Sequence, residues 1–303
     1  MCLTLICLVA PGVWAAKEAV APVGPDAVWQ PGTQFLAEMR KACEPSPPAK
    51  FGECLVEQMA KQAPAPAVAF AHALHDEGWM RDFRRAGRVD IAYVLYPFRA
   101  NENQGWLLVN GSPSLLDVDD FKRLPKAEMK SDLAWGRLIA QKPNAALFPG
   151  DRSGTIHPVA IVYPDGAQAV VVDYKVTDGC HACAVLGWVY FGFEFNPKGR
   201  FVYSHYLGLV SAASDEGKSG APPWPIQARS GQKFAIVLRP GAAWSLDQPP
   251  ADWIIKDAGS AGEGSNSPKW NFEIVGGGTT KLTLRSGSDE LVLKVVAAPG
   301  LRR

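Results

Sequence analysis

Cys180-His181-Ala182-Cys183 brings the most reactive side chains of the sequence into four consecutive positions. Two cysteines separated by two residues suit dithiol–disulfide chemistry when the first opens a helix, because the helix N-terminus lowers the thiol pKa. The residues that follow, Val185 to Phe195, alternate and are rich in aromatic and β-branched types, so they predict a strand. The motif is therefore expected to close a hairpin as a structural disulfide, with redox activity as the alternative reading. Zinc would need a second ligand pair at comparable spacing beside Cys180, His181 and Cys183. His157 and His205 do not supply such a pair, so no metal and no cofactor is expected. His72 and His75, close to Asp76 and Glu77, read as surface residues. Asp117, Asp119 and Asp120 lack the spacing and glycine of a calcium loop and read as a solvated turn. The sequence has no Gly-x-Ser-x-Gly elbow, P-loop or His-Glu-x-x-His, and so no recognisable enzyme active site.

The other cysteines set the compartment. Met1 to Ala16 reads as a signal peptide: Leu3 to Ala10 is apolar but too short to cross a bilayer, and Val13-Trp14-Ala15-Ala16 suits a cleavage site. The usual basic start is missing, which predicts a true start further upstream. Cys2 and Cys7 leave with this segment. Cys43, Cys54, Cys180 and Cys183 remain, an even number in two local pairs, and predict Cys43–Cys54 and Cys180–Cys183 bonds in an oxidising, periplasmic or secreted location. No later stretch is long and apolar enough for a transmembrane helix. A formal net charge of +1 argues against nucleic acid as a partner. The basic run Arg81-Asp82-Phe83-Arg84-Arg85 is expected at the solvated end of a helix.

The 303 residues predict an α+β, multidomain chain. Residues 17–31 read as a linker. Residues 32–145 read as helices plus hairpins: one helix through Phe35, Met39 and Cys43, a second from Phe51 to Gln62, a third from Ala67 to Arg85, strands at Val89–Phe98 and Trp106–Val109, and a helix at Glu128–Gln141. Residues 146–210 read as an antiparallel β-meander containing the CxxC pair, 211–225 as a second linker, and 226–298 as a β-sandwich of short strands.

The last module resembles the chagasin family, Ig-like inhibitors of papain-type cysteine proteases. The resemblance rests on the opening Gly231-Gln232 strand, the turn from Arg239-Pro240 to Trp244, the Trp270-x-Phe272 strand and the Gly278-x-x-Lys281-Leu282 hairpin. It implies an Ig-like sandwich and three inhibitory loops at one end. The first corresponds here to Arg239-Pro240-Gly241-Ala242-Ala243, without the Asn, Thr and Tyr of the family. The second falls in the glycine-rich stretch with Gly262 and Gly264. The third keeps only its arginine, Arg285. The implied function is protein or peptide binding outside the cytoplasm, in its most concrete form inhibition of a papain-type protease. A thiol–disulfide active protein using Cys180 and Cys183, or a structural envelope protein, are the alternatives.

Overall fold

A computed structural model of the protein describes residues 22–99, 103–149, 158–163, 165–212, 224–238, 243–248, 250–261, 269–286 and 289–298. The expected signal peptide lies outside these residues. The described part of the expected first linker is docked rather than free. The Trp29 amide donates to the Met80 carbonyl at 2.9 Å, and Asn110 holds both the Val23 N–H (2.7 Å) and the Val23 carbonyl (2.8 Å) through its side-chain amide. The Trp29 ring meets Phe35 and Trp79 edge-on, with centroids 4.7 and 5.4 Å away.

Three helices follow: α1 (Thr33–Cys43), α2 (Phe51–Met59) and α3 (Ala65–Ala73). Phe35, Met39 and Cys43 are buried on α1 at four-residue spacing, and Leu55 and Met59 on α2. The prolines between α1 and α2 end the first helix, as a missing N–H and fixed φ require. The third helix does not run to Arg85. It ends at Ala73, and His75 and Asp76 then take left-handed backbone conformations, with φ of 57° and 64°. Trp79–Arg84 is instead a strand, β1. Phe70, Leu74, Trp79 and Phe83 imitate a helical period only in sequence spacing: a bulge between Met80 and Asp82 puts Met80 and Phe83 on one face of β1 and Trp79 on the other. Gly78 permits the change of direction, since a Cβ there would meet the Leu95 carbonyl oxygen. The basic run consequently lies on a strand, and Arg84 is only 2% exposed.

β1 begins an antiparallel meander with β2 (Asp90–Leu95), β3 (Gln104–Val109) and β4 (Leu115–Asp117), in that spatial order. Ala92, Val94, Leu107 and Val109 face Phe70 of α3 and Leu74 just after it. Ile91, Trp106, Leu108 and Leu116 face the other way, into a second core. Alternation along each strand thus serves two layers at once. The expected helix at 128–141 is two helices, α4 (Lys126–Ser131) and α5 (Leu133–Gln141). Asp132, in extended conformation, separates them and caps α5 by accepting from the Ala134 N–H at 2.8 Å.

The second layer is an eight-stranded sheet built from β5 (Ala145–Pro149), β6 (Val159–Val162), β7 (Gln168–Asp178), β8 (Val185–Phe195), β9 (Phe201–Ser211), β11 (Lys233–Val237), β13 (Ile255–Ala261) and β14 (Lys269–Ile274). The third is a four-stranded sheet of β10 (Trp224–Arg229), β12 (Ser245–Gln248), β15 (Gly278–Ser286) and β16 (Asp289–Ala298), in the order β10-β16-β15-β12. The two stretches expected as separate β modules share the larger sheet: β6 pairs with β11 through Ala160–Val237, Ile161–Ile236 and Val162–Ala235. The smaller sheet covers this junction, with Leu282, Leu284, Leu291, Leu293 and Val295 packed against Phe234, Ile236, Phe272 and Ile274.

β7 is the spine of the molecule. Its Val170, Val172, Tyr174 and Val176 join the core beneath the N-terminal sheet, while Ala169 and Val171 join the core beneath the C-terminal sheet. Polar pegs tie the first two layers. The Gln168 side chain, 0% exposed, accepts the Val89 N–H at 3.0 Å and donates to the Val89 carbonyl at 2.7 Å, imitating one rung of a β-ladder. Arg84 donates to the Pro158 carbonyl at 2.6 Å and lies over the Trp106 ring. The Tyr174 hydroxyl donates to the Val118 carbonyl.

Candidate functional site

Strand register gathers the ends of the C-terminal sandwich. Val237, where the first expected inhibitory loop departs, pairs with Lys269, and Lys269 pairs on its other side with Ala261. The second loop spans the gap between Ala261 and Lys269. In the facing sheet Ser245, where the first loop returns, pairs with Arg285, and Arg285 pairs on its other side with Glu290. The third loop leaves from there. All three loops therefore spring from the same end of the sandwich. Arg239, Pro240, Gly241, Ala242, Gly262 and Gly264 lie outside the described residues. Ala243 is exposed just before Trp244. Arg285 is exposed at the rim, with its Nε 3.2 Å from Asp247 Oδ2.

A cleft of about 550 Å³ opens on the opposite part of the chain, and sequence reasoning did not find it. Pro48 and Ala49 form one margin, and Phe51, Gly52 and Glu53 at the start of α2 form a wall. His75, Asp76 and Glu77, in the turn between α3 and β1, form the second wall, and Phe98 and Arg99 after β2 the third. Phe51 and Phe98 stack at 4.8 Å. Arg99 lies 3.6 Å from the Tyr96 ring centroid and donates to Glu77 at 2.5 Å. Asp76 Oδ1 is 2.8 Å from His72 Nδ1. Successive left-handed non-glycine residues are costly and gather at functional sites. Gly52 lets α2 approach them, since a Cβ there would sit 2.9 Å from Asp76 Cβ. With carboxylates at Glu53, Asp76 and Glu77 and one guanidinium at Arg99, the lining suits a cationic group with an apolar flank. Behind the cleft, burial raises the Tyr96 hydroxyl pKa, and Asp117 adds to the effect.

Both expected disulfides are formed. Cys43–Cys54 joins α1 to α2 with Cα atoms 5.8 Å apart, and Cys43 is 0% exposed. This bond sits beside Glu53 and so holds the cleft wall in place. Cys180–Cys183, with Cα atoms 5.0 Å apart, lies at the tip of the β7–β8 hairpin, where Cys180 is exposed and Cys183 half-buried. The sequence continues into β8 and not into a helix. On chain entropy alone the longer loop gains about 3 kcal/mol from its bond and the shorter about 2 kcal/mol.

The face of β8 and β9 on the side of the C-terminal sheet holds one more titratable pair. Glu194 Oε1 lies 3.6 Å from His205 Nε2. Burial pushes the Glu194 carboxyl up to about 7. Burial also lowers the imidazole, against an opposing pull from Glu128. Near neutral pH the imidazole is therefore neutral while the carboxyl is about half protonated. A carboxyl raised on folding stabilises below its unfolded pKa and loses that contribution as pH rises through the folded one. Glu194→Gln is therefore expected to leave stability unchanged at pH 4 and to raise it by on the order of 2 kcal/mol at pH 8, read by denaturant midpoints at both pH values. Equal midpoint shifts at the two pH values would contradict this account.

Among the described residues no group of three His, Cys, Asp or Glu side chains converges as a metal site, and no helix is long and apolar enough to cross a membrane. The sequence matches no known family profile and no curated protein. Solved structures give loose similarities. The S-layer protein rSbsC(31-844) is 12% identical, covering 50% of this chain and 21% of that one, with a TM-score of 0.19. Domains 4 and 5 of the S-layer protein SbsC are 14% identical, covering 50% and 81%, with a TM-score of 0.19. InvD of Yersinia pseudotuberculosis is 9% identical, covering 52% and 58%, with a TM-score of 0.20. The chain spans 21% of the length of the first of these structures. Overlaps this loose assign neither a family nor a function, so the functional reading rests on the chain's own geometry.

Proposed function

We propose that this is an exported protein-binding protein that engages its partner through the loop end of its C-terminal, Ig-like sandwich, with papain-type cysteine proteases as the partner class. The observation that carries this reading is the register just described, which roots three separate loops at one end of two facing sheets. A cleft-directed wedge needs such an arrangement, because one loop alone buries too little surface to hold a partner. The resemblance to chagasin inhibitors supplies the partner class. The two disulfides fit an extracytoplasmic location.

Loop composition sets the expected strength. Gly, Ala and Ser tips bury little area and cost more to order than aromatic tips. Half-inhibition of papain by the full chain is therefore expected at roughly micromolar protein, equivalent to about 8 kcal/mol. Arg285→Glu, which reverses the described charge at the rim, is expected to weaken inhibition about tenfold, since arginine is a favoured interface anchor. The full chain is the right reagent because β11 completes its pairing on β6. Absence of inhibition at a large excess of folded protein would sink the proposal.

A further inference from the structure

We propose that Cys180–Cys183 is a thiol–disulfide exchange site whose partner is a dithiol, either a protein CxxC pair or a small-molecule dithiol. Three observations meet at this hairpin tip. The first is access: Cys180 is exposed, whereas the other disulfide is anchored on a fully buried Cys43. The second is redundancy. The turn is already closed by the Asp178 N–H on the Ala184 carbonyl (3.0 Å), the Cys183 N–H on the Cys180 carbonyl (3.1 Å) and the Thr177 hydroxyl on the Cys180 carbonyl (2.7 Å). Opening the sulfur bond leaves those hydrogen bonds in place, so this disulfide contributes little that the backbone does not already provide. The third is charge. Lys175 donates to the His181 carbonyl at 3.0 Å and so holds its ammonium at the loop between the cysteines. The carboxylate of Asp178 is tied to Lys142 at 2.7 Å. A nearby ammonium stabilises a thiolate.

The exchange runs in two displacements. A thiolate of the incoming dithiol attacks Cys180 Sγ. The Sγ–Sγ bond breaks and its electron pair leaves on Cys183, as a thiolate in the loop whose His181 carbonyl holds the Lys175 ammonium. The second thiolate of the reductant then attacks its own partner sulfur in the mixed disulfide and releases Cys180 as thiolate. Two electrons have moved from the dithiol to the hairpin, and the reductant departs as a disulfide. In this direction the hairpin oxidises its partner dithiol; run backwards, the reduced hairpin reduces a partner disulfide. No helix follows Cys180, so Lys175 supplies the stabilisation that a helix terminus supplies elsewhere.

The test uses the folded full chain. Graded dithiothreitol, followed by maleimide trapping and peptide mass spectrometry, is expected to label Cys180 and Cys183 at about a tenth of the reductant that labels Cys43 and Cys54, with near-ultraviolet circular dichroism unchanged. Mixed with a reduced two-cysteine peptide, the protein is expected to form about one equivalent of peptide disulfide, and the Cys180→Ser/Cys183→Ser variant none. Lys175→Met is expected to slow hairpin reduction severalfold at an unchanged thermal midpoint. Reduction of both disulfides together, or only on unfolding, overturns the proposal. Failure to transfer the disulfide to the peptide overturns it as well, and so does an unaltered rate in the lysine variant.

Discussion

Gln168→Leu is expected to destabilise the protein by about 2–4 kcal/mol, because it strands two buried backbone groups at once. Val89 is 0% exposed, and its N–H and carbonyl are both satisfied by the one Gln168 amide. Leucine fills the same space without a donor or an acceptor. The full desolvation cost of both groups then falls on the folded state, while the unfolded chain keeps water on them. Gln168→Glu is an informative companion. A carboxylate can still accept from the Val89 N–H but presents a second oxygen to the Val89 carbonyl, so it loses the donor half and adds repulsion. The expected order of stability is wild type, then Glu at low pH, then Glu at neutral pH and Leu together at the bottom. Guanidinium unfolding at two pH values reads it. A loss of less than about 1 kcal/mol for Leu would mean that the layers slide to re-pair Val89 elsewhere.

Removing the other cysteine pair has the second large effect. Cys43→Ala/Cys54→Ala is expected to cost about 3 kcal/mol or more, from the freed loop together with the lost burial of Cys43. The damage should also be local. α2 carries Phe51, Gly52 and Glu53, so loosening it from α1 lets one cleft wall drift from the His75–Asp76 turn. Hydrogen exchange in α2 should rise more than in β7 or β8, whose amides sit in the central ladder. The matching Cys180→Ser/Cys183→Ser variant should shift the thermal midpoint by no more than about 3 °C, since its turn is hydrogen-bonded without the sulfur bridge. Uniform exchange across both regions would argue that the α1–α2 bond stabilises the whole fold rather than one corner of it.

Much of the local structure was legible because it rests on side-chain period. Val185–Phe195 is rich in aromatic and β-branched residues and is β8 end to end. The helix starts near Thr33 and Phe51 follow from the proline breaks. The failures share one cause: a tertiary feature outweighed local pattern. Trp79 and Phe83 stand four residues apart, as on one face of a helix, yet they pair with Leu95 and Ala92, and the bulge in β1 sends them to different cores. The cleft was invisible because its walls come from positions far apart in sequence, such as Phe51 and Phe98. Gly52 and the His75-Asp76 pair were the available hints: a small residue and two side chains tolerant of left-handed backbone, placed where no hairpin turn was needed. The disulfides were readable from spacing and compartment. The division of the β-rich half was not, because β6 and β11 offer no local sign that they are neighbours.

That pairing has a consequence for how the chain acquires its shape. Ala160, Ile161 and Val162 wait for Val237, Ile236 and Ala235, which are made much later. Until they arrive, β6 is the last paired strand of an incomplete sheet, a short apolar edge with unpaired amides. Such edges recruit other chains, and distant closures are slow to form. A nascent chain is therefore most vulnerable to self-association after β9 has emerged and before β11 has, and a fragment ending in that interval would stay in that state.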